Sequence, residues 1–143
     1  MDAPSVETTF HVRYAETDAM GFVHHSVYPV WFEEARSEFL RQRGTNYAEV
    51  EAAGYFFAMS EMKVRFHAPA RYGHAVTVRA WVERVRSRGV TFGYEVRHAE
   101  TSQRLVTGYT KMLCLDRQGR PHTVPPWFWE AIDEKRDSPL TES

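Results

Sequence analysis

The sequence predicts an α+β domain in which a curved antiparallel sheet of five strands wraps around one long helix. Three observations predict it. A strand-like run opens the chain, an aromatic-rich helical stripe follows, and four further strand-like runs then succeed one another with only short turns between them. Short turns imply antiparallel neighbours. A single amphipathic helix has to bury its stripe against one face of such a sheet. The 143 residues suit one domain spanning 1–143, with 136–143 as a frayed polar tail.

Residues from about Val6 to Tyr14 alternate as a first strand. From about Ser26 to Arg43 the apolar residues Tyr28, Phe32, Ala35 and Phe39 recur at helical spacing, and Trp31 and Leu40 widen the stripe. Ser26 suits the N-cap, Pro29 the first turn and Gly44 the stop. Met62, Val64 and Phe66 then share one face of a strand, and a turn follows around Pro69 and Gly73. In the next strand Val76, Val78, Ala80 and Val82 alternate with Thr77, Arg79, Trp81 and Glu83. RSRG turns into a strand carrying Val90, Phe92, Tyr94 and Val96 on one face, and RLVTGYTKMLCLD is the last long strand. A short helix follows Pro125 and Pro126. One helix cannot cover so wide a sheet, so a second copy is expected against a sheet edge or face.

The formal net charge of −1 gives no bulk attraction to nucleic acid or to an anionic membrane. Cys114 is the only cysteine, so no intrachain disulfide can form and a reducing, cytoplasmic setting is expected. It lies in an apolar run and reads as a small buried hydrophobe. The N-terminus lacks the basic start and apolar segment of a signal peptide, and no apolar run approaches the ~20 residues of a membrane helix. There is no GxSxG, Walker loop or GxGxxG, and no metal site is expected, since adjacent His24 and His25 have no partner set of ligands.

The segment YAETDAMGFVHHSVY is the most informative. It sets the carboxylate of Asp18 in a turn just before a helix, with Gly21 between them. The first N–H groups of a helix have no intrahelical acceptors and carry the positive end of its dipole. A carboxylate beside such donors can attack a carbonyl, or activate water, while the donors hold the oxygen. An aspartate in this place can equally be a turn or capping residue. Glu34 falls near the apolar stripe, where a solvated or salt-bridged role is the simpler reading.

The stretch RYAETDAMGFVHHSVYPVWFEEARSEFL resembles the active-site signature of the hotdog-fold acyl-CoA thioesterases, in particular the 4-hydroxybenzoyl-CoA thioesterase branch, including the short-chain enzymes found with the Tol–Pal system. APARYGHAVTV resembles that family's P-x-R-x-G-D region. The chain departs from it at His24, where many relatives have tyrosine, and at His74, where they have an acid. The resemblance implies a hotdog fold and paired protomers, a homodimer or homotetramer, sharing two active sites. It implies hydrolysis of an acyl- or aryl-CoA thioester with no cofactor, coenzyme A being part of the substrate. It implies Asp18 as nucleophile or general base, the His25 backbone N–H as oxyanion donor, Gly21 in the turn between them, and the side chains of His25 and Tyr14 near the reaction. Family members place cations for the coenzyme phosphates near RVRSRG, which here offers Arg86, Ser87 and Arg88 beside Arg84; Arg65 and Arg71 are further candidates. Two alternatives keep the fold: a thioesterase acting on acyl carrier protein, and a non-catalytic module that binds acyl-CoA.

Overall fold

The computed structural model describes residues 5–132. Strand β1 (Ser5–His11) leads through a 3₁₀ turn at Tyr14–Glu16 to helix α1 (Val27–Gln42) and a short helix α2 (Tyr47–Ala52). Strands β2 (Phe56–Phe66), β3 (Ala75–Arg86), β4 (Gly89–His98) and β5 (Arg104–Leu115) follow, then helix α3 (Pro126–Ile132). All five strands form one antiparallel sheet in the order β1-β3-β4-β5-β2. The strand count, order along the chain and single long helix are those of the expected hotdog fold. The expected frayed tail at 136–143 lies outside the described residues.

The alternating strands place themselves as their periodicity requires. Val76, Val78 and Ala80 of β3 and Val90, Phe92, Tyr94 and Val96 of β4 are buried on the face that meets α1. Helix α1 answers with Tyr28, Trp31, Phe32, Ala35, Phe39 and Leu40, all buried. Phe32 stacks flat on Tyr94 at 4.3 Å between ring centroids, and Phe39 meets Phe92 edge-on at 5.8 Å. The stripe also takes in Arg36. Its buried guanidinium donates to the hydroxyls of Tyr47 (2.7 Å) and Tyr94 (2.9 Å), which satisfies donors that would otherwise make burial costly. Glu34 stays exposed.

Several boundaries differ from expectation. β1 ends at His11, because the chain turns at Tyr14–Glu16, and β2 begins six residues before Met62, at Phe56. Between Met59 and Glu61 a bulge breaks the alternation of β2, which hid its first half. Ser26 does not cap α1 with its side chain. Its backbone is already helical (φ −74°, ψ −12°), and its hydroxyl bonds the ring Nδ1 of His24 at 2.8 Å. β2 is an edge strand exposed along most of its length, with Met59, Met62 and Phe66 being 45%, 43% and 55% exposed. The apolar face expected of Met62 and Phe66 therefore has no cover among the described residues.

Candidate active site

The loop between β1 and α1 folds back on itself. Thr17 and Val23 pair as an antiparallel bridge, and the Asp18 N–H donates to the Phe22 carbonyl at 2.7 Å. Gly21 takes φ +83° there, in the left-handed region that glycine reaches without strain. A side chain at Gly21 would meet nothing within 4 Å among the described residues, so backbone conformation is the reason for the glycine. Asp18 stands at the tip of this small hairpin and is exposed. Its Oδ1 accepts from the N–H groups of Met20 (2.9 Å) and Phe22 (3.1 Å), which fixes the carboxylate in an Asx turn. Its Oδ2 carries no partner among the described residues.

Glu16 ties this loop to the core. Its Oε1 accepts from the Arg13 N–H at 2.8 Å, and its Oε2 from the Arg13 guanidinium (2.7 Å) and the buried Trp31 indole (3.0 Å). The His24 N–H donates to the Glu16 carbonyl at 2.9 Å. Burial raises the Glu16 pKa, but the hydrogen bonds from Arg13 and Trp31 and the charge of Arg13 outweigh it, so the carboxyl sits below its ordinary range. Neither the buried carboxylate of Glu16 nor the buried guanidinium of Arg36 was legible in the sequence, because the partners that hold them in the core, Trp31 for Glu16 and Tyr47 and Tyr94 for Arg36, are remote along the chain.

At the start of α1, the Val27 N–H donates to the His24 carbonyl (2.9 Å) and the Ser26 N–H to the His24 ring (3.2 Å). The His25 N–H has no acceptor among the described residues. It stands at the positive end of a 16-residue helix. His25 also lines a cavity of about 270 Å³ with Val23, Tyr28, Phe66, His67, Ala68 and Pro69. The wall is largely apolar, and Phe66 contributes it from the end of edge strand β2. The His25 ring packs on His24 at 4.2 Å. Tyr14 is 78% exposed and meets Tyr72 edge-on at 5.7 Å. Arg71 stacks over Phe22 at 4.4 Å, so it steadies the same loop.

Arg86, Ser87 and Arg88 lie elsewhere. Arg86 pairs with Gly89 to close the β3–β4 hairpin, and the hairpin is pinned by bonds from Val124 N–H to Ser87 (2.8 Å) and Cys114 N–H to Arg88 (2.8 Å). All three residues are exposed and line a cavity of about 310 Å³. The Asp18 loop instead packs by Val12 and Val23 on the turn that precedes β3. The two groups thus stand at opposite ends of β3, a 12-residue strand, or ~36 Å at ~3.3 Å per residue. The chain places Asp18, Gly21 and His25 on one loop and holds the arginine hairpin away from them.

Helices long and apolar enough to cross a membrane do not occur among the described residues. Comparison with known proteins gives consistent matches. The profile of the thioesterase-like superfamily matches residues 12–132. The chain is 28% identical to the acyl-CoA thioester hydrolase YbgC of Escherichia coli O6:H1, over 80% of this chain and 85% of that one. Among solved structures, the protein TT1821 of Thermus thermophilus is 42% identical with a TM-score of 0.82, covering 88% of this chain and 95% of that one. The DHNA-CoA thioesterase of Staphylococcus aureus is 30% identical with a TM-score of 0.83, covering 89% and 87%. A match across nearly all the described residues, with TM-scores above 0.8 to these two structures, means that the chain belongs to the thioesterase-like superfamily and has its hotdog fold.

Proposed function

We propose that this protein hydrolyses an acyl- or aryl-CoA thioester to the free acid and coenzyme A at the loop between β1 and α1. The observation that carries this reading is the His25 N–H, an unpartnered donor at a helix N-terminus beside an apolar cavity. Its family membership supports a thioester hydrolase, and relatives named for acyl-CoA and DHNA-CoA support the coenzyme A ester. In this reading the acyl group enters the cavity walled by Tyr28 and Phe66, and the carbonyl oxygen accepts from His25 N–H. As the carbonyl carbon becomes tetrahedral, negative charge grows on that oxygen and is met by the donor and the helix dipole. Asp18 works from the other side. Its Oδ2 either attacks the carbon, expelling the coenzyme thiolate and leaving an anhydride that water cleaves, or takes a proton from the attacking water. Gly21 holds the turn that aims the carboxylate. Tyr14 and the His25 side chain border the entrance.

The coenzyme phosphates are assigned to Arg86, Ser87 and Arg88, and the site is completed by a second copy. The uncovered apolar edge of β2 supports pairing of two copies through that strand. The Phe66 end of β2 lies at the site, whereas Phe56 pairs with Leu115 at the hairpin end of the sheet. Antiparallel pairing of two β2 edges therefore brings the hairpin end of one copy toward the Asp18 end of the other.

Thiol release from a panel of acyl- and aryl-CoA esters tests the reaction. Asp18→Asn should fold normally and release no thiol above background. Near-full activity in that variant would sink the mechanism, and faster turnover of acyl carrier protein esters than of the CoA esters would change the carrier.

A further inference from the structure

We propose that the outer face of the sheet, turned away from α1, carries a second site for a phosphate-bearing small molecule, separate from the thioester site. A groove of about 430 Å³ runs across this face, and Lys63, Arg65 and Arg79 line it. The volume lies within the ~300–1,000 Å³ of small-ligand sites. None of these three cations has a hydrogen bond or ion pair among the described residues. The carboxylate nearest to them is already committed. Glu95 accepts from Arg97 at 2.8 and 2.9 Å and from Arg104 at 3.2 Å. Glu61, beside Lys63, is bonded by Tyr109 and paired with Lys111 at 3.3 Å. Glu83 at the rim and Glu7 on β1 remain as opposing charges.

Arg79 is held ready. Its guanidinium lies 4.7 Å from the Trp81 ring centroid, and its Nε is buried with no acceptor. With Nε turned inward, any contact of Arg79 with an anion in the groove falls to the outer guanidinium nitrogens. Trp81 can support the guanidinium because its cross-strand neighbour is Gly93; a Cβ there would lie 2.6 Å from the indole. The glycine lets the indole lie on the sheet beneath Arg79, whose charge also acts on its cross-strand neighbour Glu95 without an ion pair between them. Arg65 and Arg79 stand on β2 and β3, three strand spacings or ~14 Å apart. Long side chains converging over that gap suit a multivalent anion, and guanidinium forks suit phosphate. Arg79 is also seven residues, or ~23 Å of strand, from Arg86. The groove is therefore a different place from the hairpin.

The test uses the intact protein and inorganic pyrophosphate at low salt, read by NMR at the Trp81 indole and the Gly93 amide. Pyrophosphate should shift both signals and do so equally in the presence of saturating coenzyme A. Arg79→Gln and, independently, Lys63→Gln should weaken binding about tenfold or more, the scale of a lost charge-assisted hydrogen bond. The kcat/KM for acyl-CoA should stay unchanged in both. Arg86→Gln/Arg88→Gln should leave pyrophosphate binding intact. Four results would each overturn the proposal: no shift at these nuclei, displacement by coenzyme A, equal binding by Arg79→Gln, or a change in sedimentation on Arg79→Gln that marks the face as a contact between copies. Capture of the protein by anionic phospholipid vesicles through Arg79, without pyrophosphate binding, would overturn the small-molecule source.

Discussion

Replacing Glu16 by glutamine should weaken the fold and the chemistry together. The glutamate accepts three hydrogen bonds, two from Arg13 and one from the Trp31 indole. A glutamine keeps one acceptor oxygen and turns an NH₂ toward a donor. Either the Arg13 backbone N–H then loses its acceptor, or the Arg13 guanidinium and the buried Trp31 indole lose theirs together. An unsatisfied buried donor costs about 1–3 kcal/mol. At ~2–4 °C per kcal/mol for a chain of this size, Tm should fall by ~2–12 °C. Because the Glu16 carbonyl also holds His24 N–H, loosening this residue should lower kcat for the CoA ester as well. The pH dependence has a defined sign. The folded-state pKa of Glu16 lies below the ordinary 4.5, so its stabilisation is complete above that value and is lost as pH falls through the folded-state pKa. Wild type should thus lose more stability than Glu16→Gln on acidification below pH ~4.5. Trp31→Phe removes the indole donor, so the double variant should lose less than the sum of the singles. Strict additivity, or a Glu16→Gln protein with wild-type Tm and kcat, would refute the clamp.

Two further outcomes are expected. Arg86→Ala/Arg88→Ala should raise KM for acyl-CoA while leaving a truncated pantetheine thioester nearly unaffected; equal effects on both esters would remove the hairpin from phosphate binding. The Cys114 thiol is buried and its pKa is pushed up to about 11, so a disulfide exchange reagent at pH 8 should modify it only at the rate of unfolding, whereas prompt labelling would contradict its burial.

The sequence exposed those parts of the molecule whose physics is local. β3 and β4 were legible because Val76–Val82 and Val90–Val96 keep strict alternation, and α1 because its aromatics recur at helical spacing. Its stop at Gly44 has φ +79°, a conformation the residue type announces. The first half of β2 was hidden by its bulge. Helix α2 was missed although Asn46 does cap it, accepting from the Glu49 N–H at 2.8 Å; asparagine three residues before glutamate is a helix-start spacing. The site divides in the same way. Asp18, Gly21 and His25 share one short loop and could be read together. Glu16 and Arg36 could not, because a charge can be buried only with partners. Trp31, Tyr47 and Tyr94 come from remote segments.

The separation of Asp18 from the arginine hairpin makes a last prediction that discriminates between a site within one protomer and a site shared by two. In a symmetric pair each site would take Asp18 from one copy and Arg86 and Arg88 from the other. Let Asp18→Asn protein be mixed with Arg86→Ala/Arg88→Ala protein and the mixture be dissociated and reassociated. Half of the random dimers are mixed. A mixed dimer holds one site with both parts intact, formed by Asp18 of the arginine variant and the hairpin of the aspartate variant, and one site with neither. About a quarter of wild-type activity at low acyl-CoA should therefore appear. If both parts act within one chain, every site keeps a defect, and the mixture should show only the mean of its two components. The strand geometry favours the first outcome, because ~36 Å of β3 stands between the two groups and a β2 edge pairing reverses the ends of the sheet. Regain in a mixture that stays monomeric would overturn the pairing. A reassociated dimer that regains nothing would return the phosphate site to cations nearer Asp18, among which Arg71 lies in the turn that the loop packs against.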